Sequence, residues 1–222
     1  MRRFLPLLLT ALLLAAAALL GPERLQAQSR TLVKVNPSTL LNEVNFSLEQ
    51  QFGKVSALEL GAGFIYTDYW DYVLNRFDFG QIKPHLSEHQ YLSAKGFNLS
   101  LGYRYYVVPM DKHSMSSRGT YFQPTLLYKV YYYPTDQKQI DTSSYPESGM
   151  KFVAGLQLFV GRQYRWRKLY IDKYIGLGIK AKTYRFDHYQ ASQSTGNVSN
   201  NGLQTTSWLP SIQIGLKLGF GL

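Results

Sequence analysis

The sequence predicts an all-β protein, a transmembrane antiparallel up-and-down β-barrel of about eight strands behind a cleaved signal peptide. Three observations predict it. Apolar and polar residues alternate with a period of two over most of the chain. The alternating runs have the length of bilayer-spanning strands, ~9 to 11 residues. Aromatic residues collect at the ends of those runs, where a membrane interface takes its girdle. Composition agrees: among 222 residues 18 are Tyr, 12 Phe, 3 Trp and 18 Gly, and only 17% are charged, a mixture suited to strands with one greasy and one wet side. The absence of cysteine excludes disulfides, thiolate catalysis, zinc ribbons and an acyl-cysteine anchor, so any metal would depend on His and carboxylates.

Residues 1–27 read as a signal peptide. Arg2 and Arg3 form the positive end, Phe4 to Leu20 an uncharged Leu/Ala run, and small residues place cleavage after Ala27. Losing Arg2, Arg3, Glu23 and Arg24 with it lowers the net charge from +10 to +8. The barrel domain is then 28–222, and no later run is long and apolar enough for a transmembrane helix.

Seven strands are clear. Val44, Phe46 and Leu48 alternate with Glu43, Asn45, Ser47 and Glu49, and Leu58 to Tyr66 alternate with Ala57, Glu59, Gly61 and Gly63. Phe97, Leu99, Leu101, Tyr103 and Tyr105 oppose Asn98, Ser100, Gly102 and Arg104; Phe122 to Tyr132 oppose Gln123, Thr125 and Lys129. Phe152 to Val160 oppose Lys151, Gly155 and Gln157; Ile171 to Ala181 oppose Asp172, Gly176, Gly178, Lys180 and Lys182. Last, Ile212 to Phe220 oppose Ser211, Gln213, Gly215, Lys217 and Gly219. An even count needs an eighth strand, for which Thr31 to Asn36 is the weakest candidate. No amphipathic helix is expected.

Gly, Ser, Gln and charge on one face, against aliphatic residues on the other, fit an apolar exterior around a polar lumen. Glu43, Glu49, Glu59 and Asp172 then share the lumen with Arg104, Lys129, Lys151, Lys180, Lys182 and Lys217, and the charges should pair, with Arg104 as hub between Glu49 and Glu59. The girdle is expected from Tyr66, Trp70, Tyr132, Tyr184 and Trp208 at one end, together with Tyr131 and Tyr133, and from Phe52, Tyr105, Trp166 and Phe220 at the other. Long connections at Thr67 to Ser93, Pro134 to Gly149 and Asp187 to Thr206 alternate with short ones at Gly53-Lys54 and Arg165 to Lys168 and an intermediate one at Pro109 to Arg118. The long ones belong outside the cell and the short ones in the periplasm. Acidic residues of the long loops, Asp68 and Asp71 among them, suit divalent cations shared with lipopolysaccharide.

Lys34-Val35-Asn36-Pro37, Glu49, Gly102-Tyr103-Arg104-Tyr105-Tyr106, Gly119 to Pro124 and Gly176-Leu177-Gly178-Ile179-Lys180 carry a resemblance. The chain resembles a family of small outer-membrane β-barrel proteins of unknown function from Gram-negative bacteria. The resemblance implies residence in the outer membrane and contact with its lipids, lipopolysaccharide and assembly machinery. It supplies no catalytic residues and no cofactor. One departure is the end Phe220-Gly221-Leu222, where many such barrels finish on an aromatic.

Candidate chemistry is sparse. His85-Leu86-Ser87-Glu88-His89 fits a two-histidine zinc motif with a glutamate base, but no third ligand is identifiable, so His85 and His89 are only a weak metal candidate. Asp187, His188, Ser192 and Ser194 would serve the alternative reading, a lipid-modifying acyltransferase or deacylase at the outer leaflet. The glycine doublets lack the third glycine of a nucleotide loop. Basic residues alternate into the lumen or sit in turns rather than forming a stripe, which excludes nucleic acid. The expected role is structural or interactive, with no reaction.

Overall fold

The computed structural model describes residues 30–52, 55–75, 86–108, 118–140, 143–187, 189–191, 198–200 and 202–221. The segment assigned as signal peptide lies outside them. The strands are β1 (Arg30–Val35), β2 (Glu43–Phe52), β3 (Ser56–Ile65), β4 (Lys95–Val108), β5 (Arg118–Ile140), β6 (Ser143–Trp166), β7 (Leu169–Phe186), β8 (Tyr189–Ala191), β9 (Val198–Asn200) and β10 (Leu203–Gly221). β1 to β7 and β10 form a closed barrel in chain order, with β10 meeting β1, and every neighbouring pair is antiparallel. The weak first segment is therefore a strand, and it closes the ring.

Register sets the stagger. Val35 pairs with Phe46, and the partners lead on through Ala62, Leu99, Tyr128, Ala154 and Ala181 to Trp208. On its other side Val35 pairs with Leu218, ten residues further along β10. That displacement is what tilts the strands and closes the sheet. Pro124 interrupts the β4–β5 ladder, whose pairs jump from Gly102↔Thr125 to Tyr105↔Phe122, as a residue without an N–H must.

The alternation points most apolar side chains outward, while Leu32, Val153 and Phe159 are buried on the inner face. Leu126, Leu156, Leu177 and Ile179 are each 58–59% exposed, while Glu49, Arg104 and Asp172 on the opposite face are fully enclosed. Inside, space is made by glycine: a Cβ on Gly176 would lie 2.3 Å from the Phe159 ring, and one on Gly215 would lie 2.2 Å from the Tyr174 hydroxyl. Those rings meet edge to face with centroids 5.1 Å apart, filling the lumen in the room the glycines leave.

Three expectations about the connections change. Pro134 to Gly149 is not a loop: β5 and β6 continue as a paired ribbon to Ile140 and Ser143, past an irregularity between Tyr133 and Asp136 that accommodates Pro134. The connection after β7 carries the two-stranded β8–β9 sheet. Between β3 and β4 the described residues form two short helices, α1 (Tyr69–Asn75) and α2 (Glu88–Leu92). α2 starts in a capping box, because Ser87 accepts from the Gln90 amide while the Gln90 side chain accepts from the Ser87 amide. Such local capping leaves no periodic signal.

The ring is unevenly closed. β1 pairs with β10 only from Leu32 to Val35, opposite Gly221 to Leu218. Beyond it a 3-10 turn, Pro37–Thr39, folds against β10, where the Leu216 amide donates to Ser38 Oγ at 3.4 Å. From Lys217 toward its Leu203 end, β10 has a strand neighbour, β7, on one edge alone.

In a bilayer, Leu60→Arg on the exterior is expected to cost ~2 to 4 kcal/mol, whereas Leu60→Met, which keeps that surface apolar, is expected to cost far less. Heat-modifiable mobility of the refolded variants on gels checks this, and equal loss in both would contradict an exterior in contact with lipid.

Candidate functional site in the lumen

Charged side chains fill the lumen in three layers. The lowest is centred on Arg104 of β4. Its guanidinium meets Glu49 at 2.9 Å, Glu59 at 2.8 Å and Asp172 at 2.9 Å, and its Nε donates to Gln123 at 2.8 Å. The group also stacks over Tyr121, with Cζ 3.7 Å from the ring centre. Lys34 of β1 lies beside it, 2.5 Å from Glu49 and 2.9 Å from Asp172, and Lys217 of β10 pairs with Glu59. Tyr106 donates to Glu49 at 2.8 Å and Tyr121 to Asp172 at 2.5 Å. Gln163 completes the layer: its carbonyl accepts from Lys34 at 2.8 Å and Arg104 at 3.2 Å, and its amide donates to Tyr106 at 2.9 Å. Three cations thus face three carboxylates. Each of the eight barrel strands contributes a member.

The carboxylates of Glu49, Glu59 and Asp172 lie close enough together to hold a metal ion. Arg104 and Lys34 occupy the space between them, so charge is matched there by protein.

Above this plug lies a small polar cavity of about 50 Å³, bordered by Ser47, Ser100, Thr125, Tyr174 and Gln213. Lys129 grips both oxygens of Glu43, at 2.7 and 2.8 Å, and Gln157 donates to Ser211 at 2.8 Å.

The third layer closes the mouth. Lys151 of β6 contacts Asp68 and lies 2.8 Å from Asp71, and Lys182 of β7 reaches Asp71 at 2.5 Å. Tyr184 donates to Asp71 at 2.8 Å, Tyr133 to Asp68 at 2.6 Å, and the Lys151 ammonium lies 3.7 Å from the centre of the Tyr131 ring. Asp68 precedes α1 and Asp71 lies within it, so the pair ties that helix into the barrel. Burial raises the Asp68 carboxyl even against Lys151. Burial acts the same way on Asp71, but Lys151 and Lys182 outweigh it and hold that group well below the usual carboxylate range.

Several expectations need restating. Asp68 and Asp71 are not free loop acids for shared divalent cations; they are buried against lysines. Tyr184 does not belong to a girdle: it is 5% exposed and points into the lumen, as Tyr131 and Tyr133 do, because strand parity aligns all three with the layer below α1. Trp70 sits on α1 rather than on a strand. Tyr66, Tyr132 and Trp208 are exposed at one end of the barrel, Tyr105, Trp166 and Phe220 are exposed at the other, and Phe52 there is half-buried. Lys129 and Lys217 pair as lumen residues, but Lys180 has no carboxylate partner among the described residues. Glu43, Glu49, Glu59, Arg104 and Asp172 all line the interior.

Lys34, Tyr106, Tyr121 and Gln163 complete the plug without having been expected there. The two-histidine motif resolves only in part: His85, like His188, Ser192 and Ser194, lies outside the described residues, while His89 is an exposed residue of α2 within 3.3 Å of Ser93. Asp187 accepts from Ser148 at 2.8 Å.

No protein-family model matches the chain, and no curated protein matches it. Among solved structures it is similar to the crystal structure of a major outer membrane protein from Thermus thermophilus, at 13% identity and a TM-score of 0.44, covering 87% of this chain and 99% of that one.

Replacing Arg104 by Met leaves three carboxylates facing two lysines and is expected to destabilise by ~3 to 5 kcal/mol. Adding Glu59→Gln should recover ~0.5 to 3 kcal/mol of the summed single losses. Urea unfolding in detergent measures both, and strictly additive losses would mean that the two groups are uncoupled. Lys151→Met should speed amide hydrogen exchange across 69–75 while leaving exchange in β1 to β3 unchanged.

Proposed function

We propose that the protein is a small barrel of the Gram-negative outer membrane, exported by residues 1–27, with a structural or interaction role and no reaction of its own. The observation that carries this reading is the Arg104-centred layer. Three cations and three carboxylates, joined by Tyr121 and Gln163, draw on all eight strands and are buried together across the lumen, which supports a barrel closed to water. A barrel blocked this way is an anchor rather than a pore. Its apolar exterior between two aromatic ends fits lipid on all sides.

What such an anchor presents is the far end of β5 and β6. These strands have 23 and 24 residues against the 10 of β2 and β3, so their paired ribbon stands well beyond the rim of the shorter strands. With the short β6–β7 turn in the periplasm, that ribbon and α2 face outward. α2 is tied to the ribbon base, because Gln90 donates to the carbonyls of Pro134 and Glu147 at 3.1 Å and Ser87 to Asp136 at 2.5 Å. A braced protrusion suits contact with lipopolysaccharide or with another surface molecule.

Two measurements test the reading. Reconstituted in planar bilayers, the protein is expected to leave the membrane silent, and discrete conductance steps would overturn the closed-lumen reading. On intact cells, added protease is expected to cut near Lys138 and to spare Arg165 to Lys168; the reverse would invert the orientation.

A further inference from the structure

Among the described residues, charge in the lumen balances layer by layer with one exception. Lys34, Arg104 and Lys217 face Glu49, Glu59 and Asp172; Lys129 faces Glu43; Lys151 and Lys182 face Asp68 and Asp71. Lys180, on the inner face of β7 between the second and third layers, has no carboxylate or other acceptor among the described residues. Its surroundings add to the imbalance, since Lys129 and Lys182 are near neighbours and the anions beside them are already engaged. An ammonium half-buried beside two other lysines calls for an anion.

The wall beside it is incomplete at the same level. Lys180 pairs across the ladder with Leu209 of β10, and Leu209 lies in the part of that strand whose other edge has no strand neighbour. Side-chain exposure registers the gap. Trp208, Ile212 and Ile214 on the outer face of β10 are 72–74% exposed, more than Leu177 and Ile179 on the neighbouring strand, which is paired along both edges. On the far side of the gap, exposed Leu40 and Leu41 follow the 3-10 turn. The opening is therefore apolar along its outer lip and leads inward to an unmatched cation.

We propose that the seam between β10 and the corner from β1 to β2 is a lateral portal, through which the phosphate head of a membrane lipid enters the lumen and pairs with Lys180 while its chains stay in the bilayer against Ile212, Ile214, Leu40 and Leu41. A lysine serves a phosphate as a point charge without requiring a fixed approach. The apolar lip favours a lipid phosphate over a soluble one. Backbone groups along the free edge of β10 gain polar neighbours from the entering head, which hydrocarbon alone would not provide. The proposal rests on the membrane reading given above.

The test uses the protein reconstituted in vesicles of digalactosyldiacylglycerol, a lipid without phosphate, with monododecyl phosphate as probe and native mass spectrometry of the extracted protein as readout. Wild type is expected to retain one probe molecule per chain. Lys180→Gln should weaken retention at least tenfold, Lys180→Arg should restore it, and Lys173→Gln, on the outer face of β7, should leave it unchanged. Equal retention by Lys180→Gln and wild type would overturn the assignment. Displacement of the probe by inorganic phosphate at equal concentration would overturn the portal, since a soluble anion needs no route from the bilayer. Sedimentation with the vesicles is scored separately: a chain that fails to insert refutes the membrane reading, whereas an inserted chain that binds no probe refutes this inference alone.

Discussion

Everything in this barrel depends on matching charge inside a lumen too narrow for bulk water. An eight-stranded ring has an interior that side chains fill, and here many of those side chains are ionised. A lone buried charge is costly, so each must find its opposite on another strand. Arg104 is suited to the centre because its fork reaches three carboxylates at once while its flat face rests on Tyr121. Lys34 and Lys217 then supply the two further charges that bring the layer to neutrality.

The same layer fixes register. A strand shifted by one residue exchanges its inner and outer faces. For β2 such a shift would turn Glu49 to the apolar outer face and bring Leu48 against Arg104; for β7 it would do the same with Asp172 and Ile171. Hydrophobic matching on the outside and ionic matching on the inside therefore penalise the same errors, although buried ion pairs as such add little net stability. The upper layer uses the same chemistry for another purpose. Asp68 and Asp71 come from the chain around α1, so their lysine contacts hold a connecting segment against the barrel mouth rather than one strand against another.

The fold was legible because strand parity separates the two faces without ambiguity. Glu49, Glu59, Arg104 and Asp172 could be placed inside from alternation alone, and the pairing of Arg104 with both glutamates followed from charge. Lys34 escaped because β1 is six residues long and places the lysine between two valines, too short a run to establish parity. The tyrosines escaped for a different reason. A phenol suits a membrane interface and a buried hydrogen bond equally well, so Tyr184 was indistinguishable from girdle residues until its contact with Asp71 was known. Asp68 and Asp71 were invisible as lumen residues because nothing periodic records where a loop folds back. The continuation of β5 and β6 past Pro134 was hidden by a proline that reads as a terminator.

That all eight strands meet in one ionic layer has a consequence for how the molecule comes into being. The contact that seals the ring joins Val35 to Leu218, nearly the two ends of the described chain. Until it forms, the contact of Lys34 with Asp172 across the seam is missing, although β1 already sets Lys34 beside Glu49 of β2. A half-built sheet would leave that buried charge unmatched, so partial assemblies are poor resting places and closure approaches an all-or-none event. Loop-closure entropy makes such a distant contact slow to find. Closing the ring thus completes the ionic layer in the same step, by bringing Lys34 to Asp172.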